Sequence, residues 1–361
     1  MPFGGLNVIL LGDFHQLPPV ASNGQELYNC TPSSHESQLG QNLFEQFDLV
    51  IQLQEQMRVR DPVWNGILQR SRTGDCTRDD IAEIHKLVLT NPECNIPDFT
   101  KPPWNEVILV TLRNSVRSIW NDTMLRCHCK RTGQIRYILY AHDKCASKNQ
   151  PLTRQQRLTI AHLKLEQTNR LPNKVEFAIG MKVMVLENIA PDADLANGSQ
   201  GIISDIILDF RESAEQTEDH TIRLQYPPAV ILFTACSEQK PKINGLPAGT
   251  IPIFPLRKKF KLGGKSGITI EREQFALTPA YAFTDYKSQG QTIEHVVVDI
   301  AKPPSGSLTP FDAYVALSRS QGRDTIRLLR EFDDKLFTTH PNELLRSEDV
   351  RLAMLEKCTL D

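Results

Sequence analysis

The chain has 361 residues, 40% of them hydrophobic and 23% charged. A single hydrophobic core rarely grows to this length, so two or three domains are expected, and no apolar run approaches the ~20 residues of a membrane helix. Forty-one Lys and Arg against 43 Asp and Glu leave a net charge of -2, which by itself implies no polyanionic partner. The eight cysteines are irregularly spaced, which argues against a disulfide framework and for a reducing compartment.

In chain order, the run LNVILL (6–11) ends at a Gly-Asp pair, LVIQL (49–53) follows a short helical stretch, and EVILVT (106–111) precedes a long amphipathic pattern over 113–128. The first of these runs is too short, and lacks the basic flank, for a secretory signal. Short apolar strands separated by helices read as a parallel sheet covered on both faces. From about 150 the character changes. A polar helical segment (153–168) leads into six strand-like runs, MKVMVL, GIISDIIL, TIRLQY, AVILFTA, TIPIF and GITIERE, separated by Pro, Gly and Asn turns. These predict a β-rich insert, a small barrel. Alternation then resumes with a helical pattern at 281–288, HVVVDI (295–300), a helix at 311–319, TIRLLR (325–330) and an amphipathic stretch at 342–357.

The neutral average hides a charge asymmetry. Residues 1–100 carry six basic and thirteen acidic side chains, whereas 113–157 carry ten basic and two acidic ones, and Arg257, Lys258, Lys259, Lys261 and Lys265 form a second basic cluster. Such stretches either track a phosphate backbone or form solvated faces, and charge alone leaves both open.

Four segments carry candidate chemistry. In GDFHQLPPV (12–20), Asp13 and Gln16 follow a strand end, where ligands gather in open α/β sheets; a Gln amide can donate to a phosphate oxygen and accept from water. His15 has no nucleophile in view and reads as a loop residue. In AYAFTDYKSQGQT (280–292), Lys287, Ser288, Gln289, Gly290, Gln291 and Thr292 crowd phosphate-suited groups together. In PFDAYVALSRS (310–320), Tyr314 and Leu317 share a helix side and Arg319 emerges at the end, placed as a charge-stabilising arginine finger would be. Arg58, in MRVRDPVW, lies just past a strand. Each segment also has a plainer reading as a turn, loop or surface salt bridge. Cys127, His128, Cys129, His142 and Cys145 have poor spacing for a tetrahedral zinc site, and no metal is expected there.

Taken in order, FGGLNVILLGDFHQLPPV, MRVRDPVWNGILQRSRTGD, IGMKVMVLENIAPDADLANGSQGII, LTPAYAFTDYKSQGQT and YVALSRS resemble the downstream motifs of the petite-integration-frequency (Pif-type) superfamily 1 DNA helicases and their Helitron relatives, over residues 3–331. The resemblance implies an α/β fold of tandem RecA-like (P-loop NTPase-type) lobes with a small β-barrel insert in the second. It implies a remainder of the first lobe at 1–103, a second lobe at 104–150 and 276–340, the insert at 151–275 and a helical tail at 341–361. It implies ATP and Mg²⁺ as cofactors, single-stranded or forked DNA as partner, 5′ to 3′ translocation, roles in repair, recombination or telomere maintenance, and a nuclear or mitochondrial location.

By the same resemblance Gln16 senses the γ-phosphate with Asp13 beside it, and Arg58 and Arg319 stabilise transition-state charge. Gly290 and Gln291 belong to the nucleotide cleft, and Tyr286, Lys287, Ser288 and Thr292 to the DNA contact, which Asn197 and Ser199 join from the insert, with Gly198 between them. Two positions depart from the family pattern: Tyr286 stands where His is usual, and Val59 where Gln is usual. A larger departure is that no G-x-x-x-x-G-K-[ST] loop and no DExx-type pair occur in these 361 residues. The chain is therefore expected to be the N-terminally truncated remainder of a helicase and inactive as an ATPase by itself. The competing expectation is a single-stranded nucleic-acid-binding module that has lost catalysis.

Overall fold

The structure, a computed structural model, describes residues 2–19, 26–29, 31, 34–146, 151–191, 195–213, 220–236, 241–263, 267–304 and 306–360. They divide into two compact units, 1–117 with 283–361, and 118–282.

The first unit begins with helices α1 (His35–Phe44), α2 (Pro62–Thr73) and α3 (Arg78–His85), followed by strand β1 (Ile108–Thr111). Local chemistry sets these boundaries. The Asp61 carboxylate accepts from the Val63 and Trp64 amides and Pro62 opens α2, a favourable pairing because a first-turn proline removes an amide that has no helical partner. Thr77 and Asp80 cap α3 reciprocally, and Asp80 also takes a two-point grip from Arg70 of α2, at 2.6 Å each. Helix α4 (Asn114–Thr132) then carries the chain into the second unit.

The second unit contains β2 (Arg136–Tyr140), β3 (His142–Cys145), α5 (Arg154–Ala161), β4 (Lys174–Phe177), β5 (Lys182–Val185), β6 (Gln200–Ile207), β7 (Thr221–Leu224), β8 (Val230–Ala235), β9 (Thr250–Ile253), β10 (Leu256–Leu262), β11 (Ile268–Gln274) and β12 (Leu277–Pro279). They form a five-stranded antiparallel sheet in the order β12-β5-β6-β8-β9 and two three-stranded sheets, β10-β11-β3 and β4-β2-β7. Phe177, Phe233, Phe275, Val183, Ile203, Ile231 and Ile253 are the buried centre. Gly201 on β6 is required, since a Cβ there would lie 2.3 Å from the Thr234 carbonyl oxygen. Strands β2 and β3, expected with the lobe at 104–150, pair here instead, and Arg272 of β11 holds Asp143 of β3 by two bonds of 2.7 and 2.8 Å.

The chain then returns to the first unit through β13 (Ala282–Phe283), α6 (Asp285–Ser288), β14 (Val296–Asp299), α7 (Pro310–Leu317), β15 (Ile326–Leu328), α8 (Lys335–Thr338) and α9 (Glu343–Leu360). The sheet order is β13-β1-β14-β15, with β1, β14 and β15 parallel. Its central strand β14 is buried at every position, and Trp64, Ile67, Ile84, Val315 and Phe337 pack around the sheet. This is the mixed α/β core with a parallel sheet that the apolar runs indicated.

Two expectations are corrected. The runs 6–11 and 49–53 form no strand among the described residues. Leu11 and Leu53 are 93% and 94% exposed. A fully apolar run becomes a parallel strand only when neighbouring strands and helices cover it, and no described strand pairs with either run. The helical pattern at 281–288 is also shorter than expected, because β13 occupies its first part and α6 is a single turn.

Candidate functional site

The first unit draws residues 13–16, 58, 72, 289–292, 314 and 319 into one polar network. The turn after the 6–11 run is built on Asp13. Its carboxylate accepts from Arg72 Nη1 and Nη2 of α2 at 2.7 and 2.9 Å, from the His15 amide at 3.0 Å and from Gln16 Nε2 at 3.2 Å. Burial acts to raise the Asp13 pKa, but Arg72 and these donors outweigh it and hold the group below the usual carboxylate range. Arg72 also donates to the Tyr314 hydroxyl at 2.9 Å and lies over that ring, tying α2 to α7. Gln16 Oε1 accepts from Gln289 Nε2 at 3.1 Å, so the turn reaches the loop that follows α6.

Helix α7 is capped reciprocally by Thr309 and Asp312 and opened by Pro310. It is buried from Ala313 to Leu317, and so is Arg319 beyond it, at 1% exposure. The expected emerging arginine is therefore an enclosed one. Its Nε donates to the Val315 carbonyl at 2.8 Å, Nη2 to Ser318 Oγ at 2.7 Å, and Nη1 to the Gln291 and Ser288 carbonyls at 3.3 and 3.4 Å. Arg58 arrives beside it, donating to Thr292 Oγ1 at 2.9 Å and to the Ser318 carbonyl at 3.1 Å. Burial first, and the neighbouring Arg58 second, lower Arg319 to about 10, so it remains a cation at neutral pH. Among the described residues neither arginine forms an ion pair. Two adjacent guanidiniums held by neutral acceptors form a positive site short of a counter-charge.

The loop between them turns at Gly290, whose φ of +79° disfavours any side chain. Tyr286 is 48% exposed on α6. Ser288, expected as a DNA donor, is fully buried with its hydroxyl on the Asp285 carbonyl, so it holds α6 together instead of reaching solvent. Asn197, Gly198 and Ser199 form the turn between β5 and β6 in the second unit, where the Ser199 hydroxyl accepts from the Ala196 amide. Asp13 is spent on Arg72, and among the described residues no group of three His, Cys, Asp or Glu side chains could hold a metal ion. The described residues therefore supply no protein-only metal cage, whereas Mg²⁺ beside a bound phosphate is held by one or two carboxylates and the phosphate itself. His128 and His142 use their ring nitrogens on the Ile179 and Gln225 carbonyls.

Residues 1–75 match the profile of the PIF1-like helicase family. The ATP-dependent DNA helicase PIF1 of Xenopus laevis is 27% identical over 342 residues, covering 94% of this chain and 43% of that protein. The ATP-dependent DNA helicase RRM3 of Saccharomyces cerevisiae is 25% identical, covering 98% of this chain and 50% of that protein. Among solved structures, the Pif1 helicase of Candida albicans superposes with a TM-score of 0.64 at 21% identity, over 98% of this chain and 70% of that one. Over nearly its whole length the chain is similar to Pif1-type helicases. It spans about half or less of the length of these two curated relatives, and its fold is that of the RecA-like tandem of Pif1 structures. Against the Pif1-type pattern, Val59 in place of Gln packs on the first unit's core, which anchors the backbone next to Arg58.

Sequence reasoning missed three features of this network: the grip of Arg72 on Asp13, the burial of Arg319, and the contact of His15 with the Asp349 carboxylate at 3.0 Å. Each depends on partners far apart in the chain. The His15 position carried the one available signal, a titratable residue between two nucleotide-site candidates.

Proposed function

We propose that the chain is the phosphate-sensing and DNA-coupling part of an ATP-dependent DNA helicase that moves 5′ to 3′ on single strands and serves DNA repair, recombination or telomere maintenance in the nucleus or mitochondrion. The observation that carries this reading is the pair of half-buried Arg58 and buried Arg319, neither in an ion pair among the described residues, and linked by Thr292 and Gln291 to the loop that bears Lys287. Such a pair is suited to charge developing on a transferring phosphoryl group. Gln16 is placed to report the state of that site, because its amide joins Asp13 on one side to Gln289 on the other. When the terminal phosphate leaves, the Gln16–Gln289 bond and the two arginines are free to rearrange, and the 286–292 segment moves with them. Tyr286 and Lys287 would meet the single strand, the tyrosine by stacking. The Bacteroides Pif1 structure with ADP-AlF3 and ssDNA, 19% identical with a TM-score of 0.56, pairs the same two ligand classes on a related fold.

The reading as a binding module without catalysis draws less support. Part of its basic stretches is paired within the fold: Arg126 and Arg136 with Asp122, Lys144 with Glu271, and Arg257 with Glu273.

The test is a chimera in which the loop-bearing N-terminal segment of a Pif1-type relative precedes residue 1. Phosphate release stimulated by single-stranded DNA is expected, with Arg319→Ala abolishing release while DNA binding persists. Release that survives both Arg58→Ala and Arg319→Ala refutes the reading.

A further inference from the structure

Helix α9 has 18 residues, of which Leu345 and Glu348 are buried, so little apolar area accounts for its docking. What it contacts is specific. Leu345 packs with Tyr28 and Phe311, against which Phe14 and Leu17 lie. Arg351, paired with Glu348, lies over the Phe44 ring. Further along, Glu356 accepts from the Gln52 amide at 2.8 Å and Thr359 from the Val50 amide at 3.0 Å. Between these, Asp349 faces His15 Nε2, with its two oxygens at 3.1 and 3.0 Å.

His15 is 6% exposed, and its other nitrogen, Nδ1, lies 2.8 Å from the Arg72 carbonyl oxygen. A carbonyl only accepts, so Nδ1 donates to the Arg72 oxygen, while Nε2 lies within hydrogen-bonding distance of both Asp349 oxygens. The ring thus bridges α2 and α9 through its two nitrogens. Arg72 meets the same turn twice, with its carbonyl on His15 and its guanidinium on Asp13. The charged or titratable groups facing the ring are Asp13 from the turn, Arg72 from α2, Asp349 from α9 and His340, whose ring centroid is 6.1 Å away.

We propose that α9 is a clamp on the nucleotide-sensing turn, with Asp349 as a positioning residue that acts on Gln16 through His15. Gln16 follows His15 directly, and its amide closes the turn on the Asp13 carbonyl at 3.1 Å. Fixing the imidazole from both sides therefore fixes the backbone from which the Gln16 side chain reaches Gln289. The importance of this clamp rests on the reading of Gln16 as a sensor, but the clamp itself is measured without nucleotide, so the two fail separately.

The experiment is amide hydrogen exchange and imidazole NMR on the 361-residue chain. In Asp349→Ala, exchange at the His15 and Gln16 amides is expected to rise by about tenfold or more while amides of β14 keep their protection, and the His15 imidazole resonances are expected to shift. Asp349→Asn, which retains a hydrogen-bonding partner, is expected to restore protection to within about threefold of the parent. Unchanged exchange at His15 and Gln16 in Asp349→Ala overturns the proposal. So does an equal rise throughout the first unit, or a failure of Asn to restore the turn.

Discussion

Asp285 and Asp312 offer a sharp energetic test of how α6 and α7 are joined. Asp285 is 2% exposed; its Oδ1 accepts from the Tyr286 amide at 2.9 Å, while its Oδ2 is buried without a donor among the described residues. The Asp312 carboxyl faces it within hydrogen-bonding reach, already accepting from the Thr309 amide and hydroxyl at 2.7 and 2.6 Å. Burial first and Asp312 second push Asp285 up to about 7, from 3.8 for an ordinary aspartate. The folded state therefore holds a proton that the unfolded chain releases. Stability from this group is complete below about pH 4 and is lost as pH rises to about 7, by up to ~1.36 kcal/mol per pH unit and about 4 kcal/mol in all. Asp285→Asn keeps a donor toward Asp312 and removes the ionisation. The variant should match the parent near pH 4 and exceed it by several kcal/mol, about 4 at most, at pH 8. Urea unfolding on a Trp120→Phe background reads this out, since Trp64 and Trp104 both lie in the first unit. A difference between variant and parent that is independent of pH, or a parent that is the more stable at pH 8, refutes the shared-proton contact.

Two further outcomes are expected. Arg72→Ala removes both bonds to Asp13 and the bond to Tyr314, leaving a partly buried carboxylate, and should lower first-unit stability by about 3 kcal/mol in the same urea assay. A loss under about 0.5 kcal/mol would show the grip to be incidental. The 361-residue chain by itself should show no multiple-turnover phosphate release with single-stranded DNA, because the β- and γ-phosphates lack a backbone cradle. DNA-stimulated release that Arg319→Ala abolishes would contradict that expectation.

The parallel strands β1, β14 and β15 were legible because a fully apolar run between turn residues signals a covered strand. The same signal over-read 6–11 and 49–53, since an apolar run states what a segment needs and not whether its neighbours are present. Strand β10 went unread for the opposite reason. Its Arg257 and Lys259 face Glu273 and Glu271 across the ladder, and cross-strand neutralisation cannot be seen in one segment. In the site, motif order pointed to Gln16, Arg58, Arg319 and the 289–292 loop, which the fold brings together. Their surroundings were not legible. Arg319 reads as a helix-end residue in sequence yet lies in the interior, and the 334-residue separation of His15 and Asp349 leaves no local trace of their contact.

The central claim, that the 286–292 loop beside the paired arginines grips a phosphate backbone, is tested most directly by the salt dependence of single-stranded DNA binding. Fluorescence anisotropy with an oligothymidylate between 50 and 200 mM salt should show affinity falling by about tenfold or more, and Lys287→Ala should reduce the log–log slope by about 1. An affinity that stays flat across that range, or a slope that Lys287→Ala leaves untouched, contradicts the claim.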